Sequence, residues 1–145
     1  MPKTEPLPVF HYGLDEIDKA AEFVLAHIRS KIILLDAPMG AGKTTLASAL
    51  IKRLTGETFL GSPTFAIVQP YTTREGSPLY HFDLYRLHSV EELSDIGFEE
   101  YVSPETWILI EWPALAEAFL PEDFDRIQIE TGSDGTRILK ISHNE

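Results

Sequence analysis

The sequence predicts an α/β fold in which helices flank a central, mixed and largely parallel sheet, and in which the chain ends in a β-hairpin. Two observations carry this prediction. Short, wholly apolar segments alternate with amphipathic segments of helical spacing, and a glycine-containing turn joins the first apolar segment to a helix. A chain of 145 residues with 43% hydrophobic residues is long enough to bury a core, and we interpret residues 1–145 as one domain.

The first half of the chain predicts a helix, a strand and a second helix. Residues 14–29 carry apolar side chains at intervals of three and four, with acidic residues in the first turn, which is typical of an amphipathic helix. Residues 31–36 include four successive apolar side chains, as expected of a parallel strand that is covered on both faces. Helical spacing returns from Leu46 to Leu54 and stops at Gly56, because glycine commonly ends helices.

The second half predicts short strands that alternate with short helices. A polar segment separates the first two strands, so we expect them to pair antiparallel. Glycines between the last two strands predict the closing hairpin. In order, the predicted elements are strands 64–68 and 79–83, helix 90–96, strand 107–110, helix 114–119, and hairpin strands 126–130 and 136–141.

Composition excludes several classes of function. The chain has 12 basic and 23 acidic residues and a formal net charge of -11, so we do not expect it to bind a nucleic-acid backbone unaided. It has no cysteine, which excludes disulfides, thiolate nucleophiles and cysteine-ligated metals. No apolar run is long enough to span a membrane, and we expect a cytoplasmic protein. The histidines form no paired metal motif, and we interpret each as a surface or packing residue: His11, His27, His81, His88 and His143.

The strongest motif is the turn between the predicted strand 31–36 and the following helix. Residues 37–44, APMGAGKT, fit a permissive phosphate-loop pattern in which alanine replaces the first glycine. Its amide groups can surround phosphate oxygens at a helix N-terminus. Lys43 is predicted to contact the β- and γ-phosphates, Thr44 to ligate Mg²⁺, and Thr45 to contact the α-phosphate. The predicted nucleotide ligands of this segment are Met39, Gly40, Ala41, Gly42, Lys43, Thr44 and Thr45. We also expect the Lys43 side chain to be exposed when no nucleotide is bound.

Two acidic residues follow predicted strands. Asp83 ends the strand 79–83, and Glu111 follows the apolar strand 107–110. Nucleotide-bound Mg²⁺ takes one or two protein carboxylates, which are offered where strands end beside the phosphate loop. Either acid can hold the metal while the other orients a water molecule. The predicted catalytic residues are therefore Lys43, Asp83 and Glu111, and the predicted metal ligands are Thr44, Asp83 and Glu111.

The remaining residues favour one class of nucleotide-binding protein. Guanine-specific proteins carry an Asn-Lys-x-Asp segment, whereas the single asparagine here is Asn144, which argues against a GTPase. The arginines are scattered rather than clustered in a lid, which argues against a small-molecule kinase. An ATPase that acts on a partner remains.

Five short motifs, in order and with matching spacing over nearly the whole chain, resemble the bacterial TsaE (YjeE) family. They are GAGKTT at 40–45, SPTF at 62–65, HFDLYRL at 81–87, EL at 92–93 followed by Gly97, and IEWP at 110–113. The resemblance implies a P-loop NTPase fold, ATP and Mg²⁺ as cofactors, and slow hydrolysis that partners stimulate. It places Thr64 in a switch segment near the γ-phosphate, as a further nucleotide ligand.

The resemblance also implies a pathway and partners. TsaE proteins assist a TsaB–TsaD complex that transfers a threonylcarbamoyl group to the tRNA adenosine beside the anticodon. Given the acidic charge, we expect this chain to reach tRNA only through those partners. Two alternatives stay open: a nucleotide-dependent binding module whose hydrolysis is incidental, and a small-molecule kinase.

Overall fold

The computed structural model describes residues 7–37, 43–56 and 67–144, which form an α/β structure around one seven-stranded sheet. The strands are β1 (Val9–Tyr12), β2 (Ile32–Asp36), β3 (Val68–Thr72), β4 (Pro78–Asp83), β5 (Trp107–Glu111), β6 (Phe124–Thr131) and β7 (Arg137–Asn144). The helices are α1 (Ile17–His27), α2 (Lys43–Thr55), α3 (Val90–Asp95) and α4 (Phe98–Tyr101), and 3₁₀ turns lie at Leu14–Glu16, Pro113–Leu115 and Glu117–Phe119.

The strand order is β1-β7-β6-β2-β5-β4-β3. The centre of the sheet is parallel, because β2 pairs in parallel with β5 and β6, and β5 pairs in parallel with β4. Antiparallel pairing at both sides adds β3 to β4, β7 to β6 and β1 to β7. The carboxyl ends of β2, β4, β5 and β6 therefore lie at one edge of the sheet, and their amino ends lie at the other.

Each face of the sheet is covered by an apolar cluster. Successive residues of a strand point to opposite faces, so Ile33 and Leu35 pack with side chains of α1 and α2 in one cluster. Ile32 and Leu34 pack in the other, with side chains of α3 and α4. The predicted fold class, a mixed sheet flanked by helices with a C-terminal hairpin, is confirmed.

Most of the predicted elements are found close to their expected bounds. The helix over 14–29 is a 3₁₀ turn followed by α1, and the apolar segments 31–36 and 107–110 are the central strands β2 and β5. The helix after the glycine-rich turn ends as expected, because Gly56 has a φ of 76° and a left-handed residue stops a helix there. Among the described residues, no helix is long and apolar enough to cross a membrane.

Three predictions of secondary structure were wrong or incomplete. The strand expected at 64–68 is β3, which begins only at Val68 and continues to Thr72, while residues 64–66 lie outside the described residues. The helix expected at 114–119 is two 3₁₀ turns, because the amides of Ala116 and Phe119 each bond the carbonyl three residues earlier. The sequence reasoning also missed two elements, the strand β1, which pairs with β7, and the short helix α4.

Candidate functional site

Two of the predicted acids lie side by side at the carboxyl edge of the sheet. Asp83 ends β4 and Glu111 ends β5, and the two residues are paired in the register of these parallel strands. Glu111 is also paired with Leu35 of β2, which leads into the segment before α2. Since α2 begins at Lys43, the fold brings the first turn of this helix to the same edge. This arrangement is where open parallel sheets bind ligands.

Glu111 is held by side chains from two different elements. It is 2% exposed. The Thr44 hydroxyl donates to Oε1 over 3.0 Å, and Nε2 of His81 donates to Oε2 over 2.6 Å. A carboxylate only accepts hydrogen bonds, so this contact places the ring hydrogen of His81 on Nε2. The Glu111 carboxylate thus connects the first turn of α2 to strand β4.

The sequence analysis interpreted His81 as a surface or packing residue and did not predict its contact with Glu111. It is fully buried, and it contacts a predicted catalytic acid. One signal could have found it. His81 lies two residues before Asp83 on the same strand, and side chains two apart share a face of a sheet.

Lys43 is not exposed, contrary to our expectation. Its side chain is 6% exposed, its ammonium group donates to the Ala37 carbonyl over 2.8 Å, and Nζ lies 3.8 Å from the centre of the Trp112 ring. Burial lowers the pKa of Lys43, while the negative charges of Glu111, Asp83 and Asp36 oppose that shift. The expectation failed because it ignored the aromatic ring that follows β5.

Asp83 is half-buried beside this group of charges. Burial raises the pKa of Asp83. The Tyr85 amide, which donates to its Oδ1 over 3.1 Å, lowers the pKa, and the charge of Glu111 raises it further. The charges of His81 and Lys43 lower it. Asp83 is therefore a stronger proton acceptor, once ionised, than an ordinary aspartate in water.

Trp112 covers the site from one side. It has a φ of 58°, the left-handed region that residues with a Cβ rarely adopt. Its ring lies 4.9 Å from the half-exposed ring of Tyr85, between centres, and over the ammonium group of Lys43. A left-handed residue persists only where the surrounding structure holds it, and it is often found at functional sites. The turn after β5 thus places an aromatic ring against the ammonium group of Lys43.

The structure brings together Lys43, Thr44, Asp83 and Glu111 from the predicted set. Thr45 lies in the same first turn of α2 and is exposed, as is Thr44. Five other predicted ligands lie outside the described residues, and the prediction for them stays a prediction: Met39, Gly40, Ala41, Gly42 and Thr64.

The described donor set fits a hard cation that arrives with phosphates. Thr44, Asp83 and Glu111 offer only oxygen atoms, which Mg²⁺ prefers. Within residues 7–37, 43–56 and 67–144, no group of three or more His, Cys, Asp and Glu side chains could hold a metal ion by itself. Mg²⁺ bound to a nucleotide does not need such a group, because the phosphates and water supply most of its ligands.

The chain is similar in sequence and in fold to known proteins. A family model described as "Threonylcarbamoyl adenosine biosynthesis protein TsaE" matches residues 13–139. Two relatives, both named tRNA threonylcarbamoyladenosine biosynthesis protein TsaE, come from Rickettsia felis and Haemophilus influenzae. They are 36% and 35% identical over 90% and 86% of this chain, and the matches span 76% and 79% of those proteins. The crystal structure of Bacillus subtilis YdiB has a similar fold, with a TM-score of 0.67, 24% identity, and coverage of 98% of this chain and 90% of that one.

Proposed function

The chain belongs to the TsaE family of tRNA threonylcarbamoyladenosine biosynthesis proteins, and we propose that its contribution to that pathway is to bind and hydrolyse Mg-ATP. One observation carries the proposal. The Thr44 hydroxyl donates to Glu111 at the carboxyl edge of the sheet, next to the lysine of a phosphate-loop pattern. An oxygen that donates its hydrogen retains lone pairs, and these can ligate a cation. The bond therefore supports Thr44 as a metal ligand oriented by Glu111.

Lys43 and the loop before it would bind the phosphates. The ammonium group contacts the Ala37 carbonyl, and a phosphate oxygen would replace this neutral acceptor with a charged one, which makes a stronger hydrogen bond. The proposed remaining ligands are the backbone of 39–42, together with Thr45 and Thr64. The site is at a helix N-terminus, where the helix dipole favours anions.

The two acids would divide the chemistry of hydrolysis. Bound Mg²⁺ would neutralise charge on the phosphate oxygens. Of Asp83 and Glu111, one would hold the metal, and the other would orient the attacking water and accept its proton. The bond to Thr44 favours Glu111 for the metal side, and the raised pKa of Asp83 suits a proton acceptor.

The partners and location in our proposal follow from the family and the charge. We propose that the chain acts in the cytoplasm on a TsaB–TsaD complex, and that the complex contacts tRNA. A chain with a net charge of -11 repels a phosphate backbone, which supports an indirect role in tRNA binding.

Titration calorimetry and a phosphate-release assay test the proposal. We expect the wild-type chain to bind a non-hydrolysable ATP analogue with Mg²⁺ and to release phosphate slowly, faster with its partners. Glu111→Gln and Asp83→Asn should each keep nucleotide binding and lower turnover about 100-fold or more. The variant whose activity returns at high Mg²⁺ identifies the acid that holds the metal. No binding heat from folded protein at millimolar adenine nucleotide would refute the proposal.

A multiple-turnover modification assay separates the alternatives. If Glu111→Gln sustains many rounds of tRNA modification with the partners, hydrolysis is incidental and the chain is a nucleotide-dependent binding module. Labelled phosphate on a metabolite, instead of free phosphate, would indicate a small-molecule kinase.

A further inference from the structure

We propose that His81 is a positioning residue, which fixes the Glu111 carboxylate in the orientation that faces Thr44. The inference deepens the proposed function and rests on it, because it assigns His81 to the same ATP site. It starts from one arrangement: Oε1 of Glu111 accepts from Thr44 over 3.0 Å, and Oε2 accepts from His81 over 2.6 Å.

Two donors are needed because a carboxylate rotates easily. The last torsion of a glutamate side chain has broad minima, so one hydrogen bond leaves the plane of the carboxylate poorly defined. A second donor on the other oxygen fixes both the plane and the direction of Oε1. Metal-site residues are commonly oriented by such outer partners, and loss of one typically costs 10- to 100-fold in affinity or activity.

The placement of His81 suits this role. It is fully buried in β4, which is paired on one side with β3 and on the other with β5. Thr44, in contrast, is an exposed residue at the start of α2, where the nucleotide would bind. Because His81 has no exposed surface from which to contact a ligand, it would act through Glu111. A donor on the sheet thereby holds one oxygen of the Glu111 carboxylate in place, while the other oxygen contacts Thr44 of α2.

Paired substitutions test the proposal against a packing role. His81→Gln keeps an N–H donor near the position of Nε2, whereas His81→Leu fills similar space without a donor. We expect His81→Leu to lower kcat for ATP hydrolysis about 10- to 100-fold and to raise the Mg²⁺ concentration needed for half-maximal rate. The KM for ATP at saturating Mg²⁺ should change by less than about threefold. We expect His81→Gln to recover most of the kcat, and His88→Leu, a substitution at an exposed histidine, to change neither quantity.

A measurement without nucleotide covers the case in which His81→Leu does not fold. Long-range ¹H–¹⁵N NMR of the wild-type chain should show the His81 hydrogen on Nε2, and Glu111→Gln should shift that signal. A ring with its hydrogen on Nδ1 only would overturn the proposal.

The outcomes separate this proposal from the function on which it rests. If the wild type hydrolyses ATP and folded His81→Leu matches it in kcat and Mg²⁺ requirement, the positioning role is wrong while the ATPase stands. The positioning role is also wrong if a stable His81→Gln is as slow as His81→Leu. If the wild type neither binds nor hydrolyses Mg-ATP, both proposals fail.

Discussion

Two buried carboxylates, at opposite edges of the sheet, are stabilised in different ways. Asp125 lies at the amino end of β6, is fully buried, and accepts from the amides of Arg29 and Ser30 over 2.7 and 2.9 Å and from the His143 ring. Glu111 lies at the carboxyl end of β5 and accepts from the side chains of Thr44 and His81. Each carboxylate thus contacts a histidine, and the further donors described are two backbone amides at Asp125 and a side-chain hydroxyl at Glu111.

The difference separates a structural carboxylate from one suited to chemistry. Backbone donors are fixed by the fold, so Asp125 ties the connection between α1 and β2 to the start of β6. Side-chain donors can move when a ligand enters, and the hydroxyl that bonds Glu111 belongs to Thr44, an exposed residue. The hydroxyl donor from α2, rather than burial alone, therefore distinguishes Glu111 from Asp125.

Removing the structural carboxylate should have the largest effect on stability. Asp125→Ala leaves two amides and a histidine without their acceptor, and we expect the free energy of unfolding to fall by about 3 kcal/mol. Urea unfolding measures the change, with Glu75→Ala as the exposed control. Nucleotide binding per folded molecule should not change. A loss below about 1 kcal/mol would contradict the structural role.

Ligand binding should stabilise the protein by a similar amount through the other edge. A non-hydrolysable ATP analogue with Mg²⁺, at 100 times its Kd, should raise the free energy of unfolding by about 2.7 kcal/mol. The increase should persist in Asp125→Ala if that variant folds, because Asp125 lies at the amino end of β6, at the edge opposite the proposed ligand site. Thermal unfolding with and without ligand measures both increases, and a loss of the effect in the variant would show that the edges are coupled.

Lys43→Ala should lower the stability less than Asp125→Ala does, and it should abolish nucleotide binding. The substitution removes a buried donor from the Ala37 carbonyl and a cation from beside three acids, so we expect a loss of about 1–2 kcal/mol as well as loss of nucleotide binding. Lys52→Ala, at an exposed position of the same helix, should change stability by less than about 0.5 kcal/mol. If Lys43→Ala has the same free energy of unfolding as the wild type, the Lys43 side chain is exposed, as the sequence predicts.

The smallest expected change in stability is at Tyr12, whose hydroxyl is a buried polar group. Its hydroxyl has no hydrogen-bond partner in the part of the chain that the structure describes. Tyr12→Phe should therefore raise the free energy of unfolding by up to about 1 kcal/mol. Burial also raises the pKa of Tyr12 above the ordinary 10.0, against the opposing charge of Arg137. The folded state then retains the proton longer than the unfolded state.

The sign of the pH effect follows from that difference. As pH rises above 10.0, the unfolded chain loses the Tyr12 proton before the folded chain does. Deprotonation therefore favours the unfolded state and lowers the free energy of unfolding of the wild type, whereas Tyr12→Phe has no such proton to lose. Denaturant unfolding between pH 8 and pH 11 measures the difference in free energy of unfolding between Tyr12→Phe and the wild type, which should widen with pH. A difference that stays constant or narrows would contradict the burial of the hydroxyl.

The fold was largely predictable because its central elements are encoded locally. Apolar runs identify β2 and β5, since strands covered on both faces need no alternation, and Gly56 marks the end of α2. Strand β1 was missed because its four residues, Val9–Tyr12, gain their structure from pairing with β7 at the far end of the chain. The two 3₁₀ turns were missed because they follow the left-handed Trp112, which is held by tertiary contacts.

The sequence predicted residues that the structure brings together, but it did not predict the contacts among them. Motif spacing and strand ends were enough to select Lys43, Thr44, Asp83 and Glu111. The burial of Lys43 depends on the ring of Trp112, and the role that we propose for His81 depends on the register between β4 and β5. Both are tertiary facts that no local pattern in one sequence contains.

Among the strands of the described residues, β3 lies at an edge of the sheet, and this has a consequence for behaviour at high concentration. It includes Pro70, which is paired with Tyr80 of β4 and has no amide hydrogen to offer. Proline is tolerated there because the outer side of an edge strand needs no donor. A foreign strand that aligned with β3 would find a gap in the ladder of hydrogen bonds at Pro70, so this residue discourages edge-to-edge aggregation.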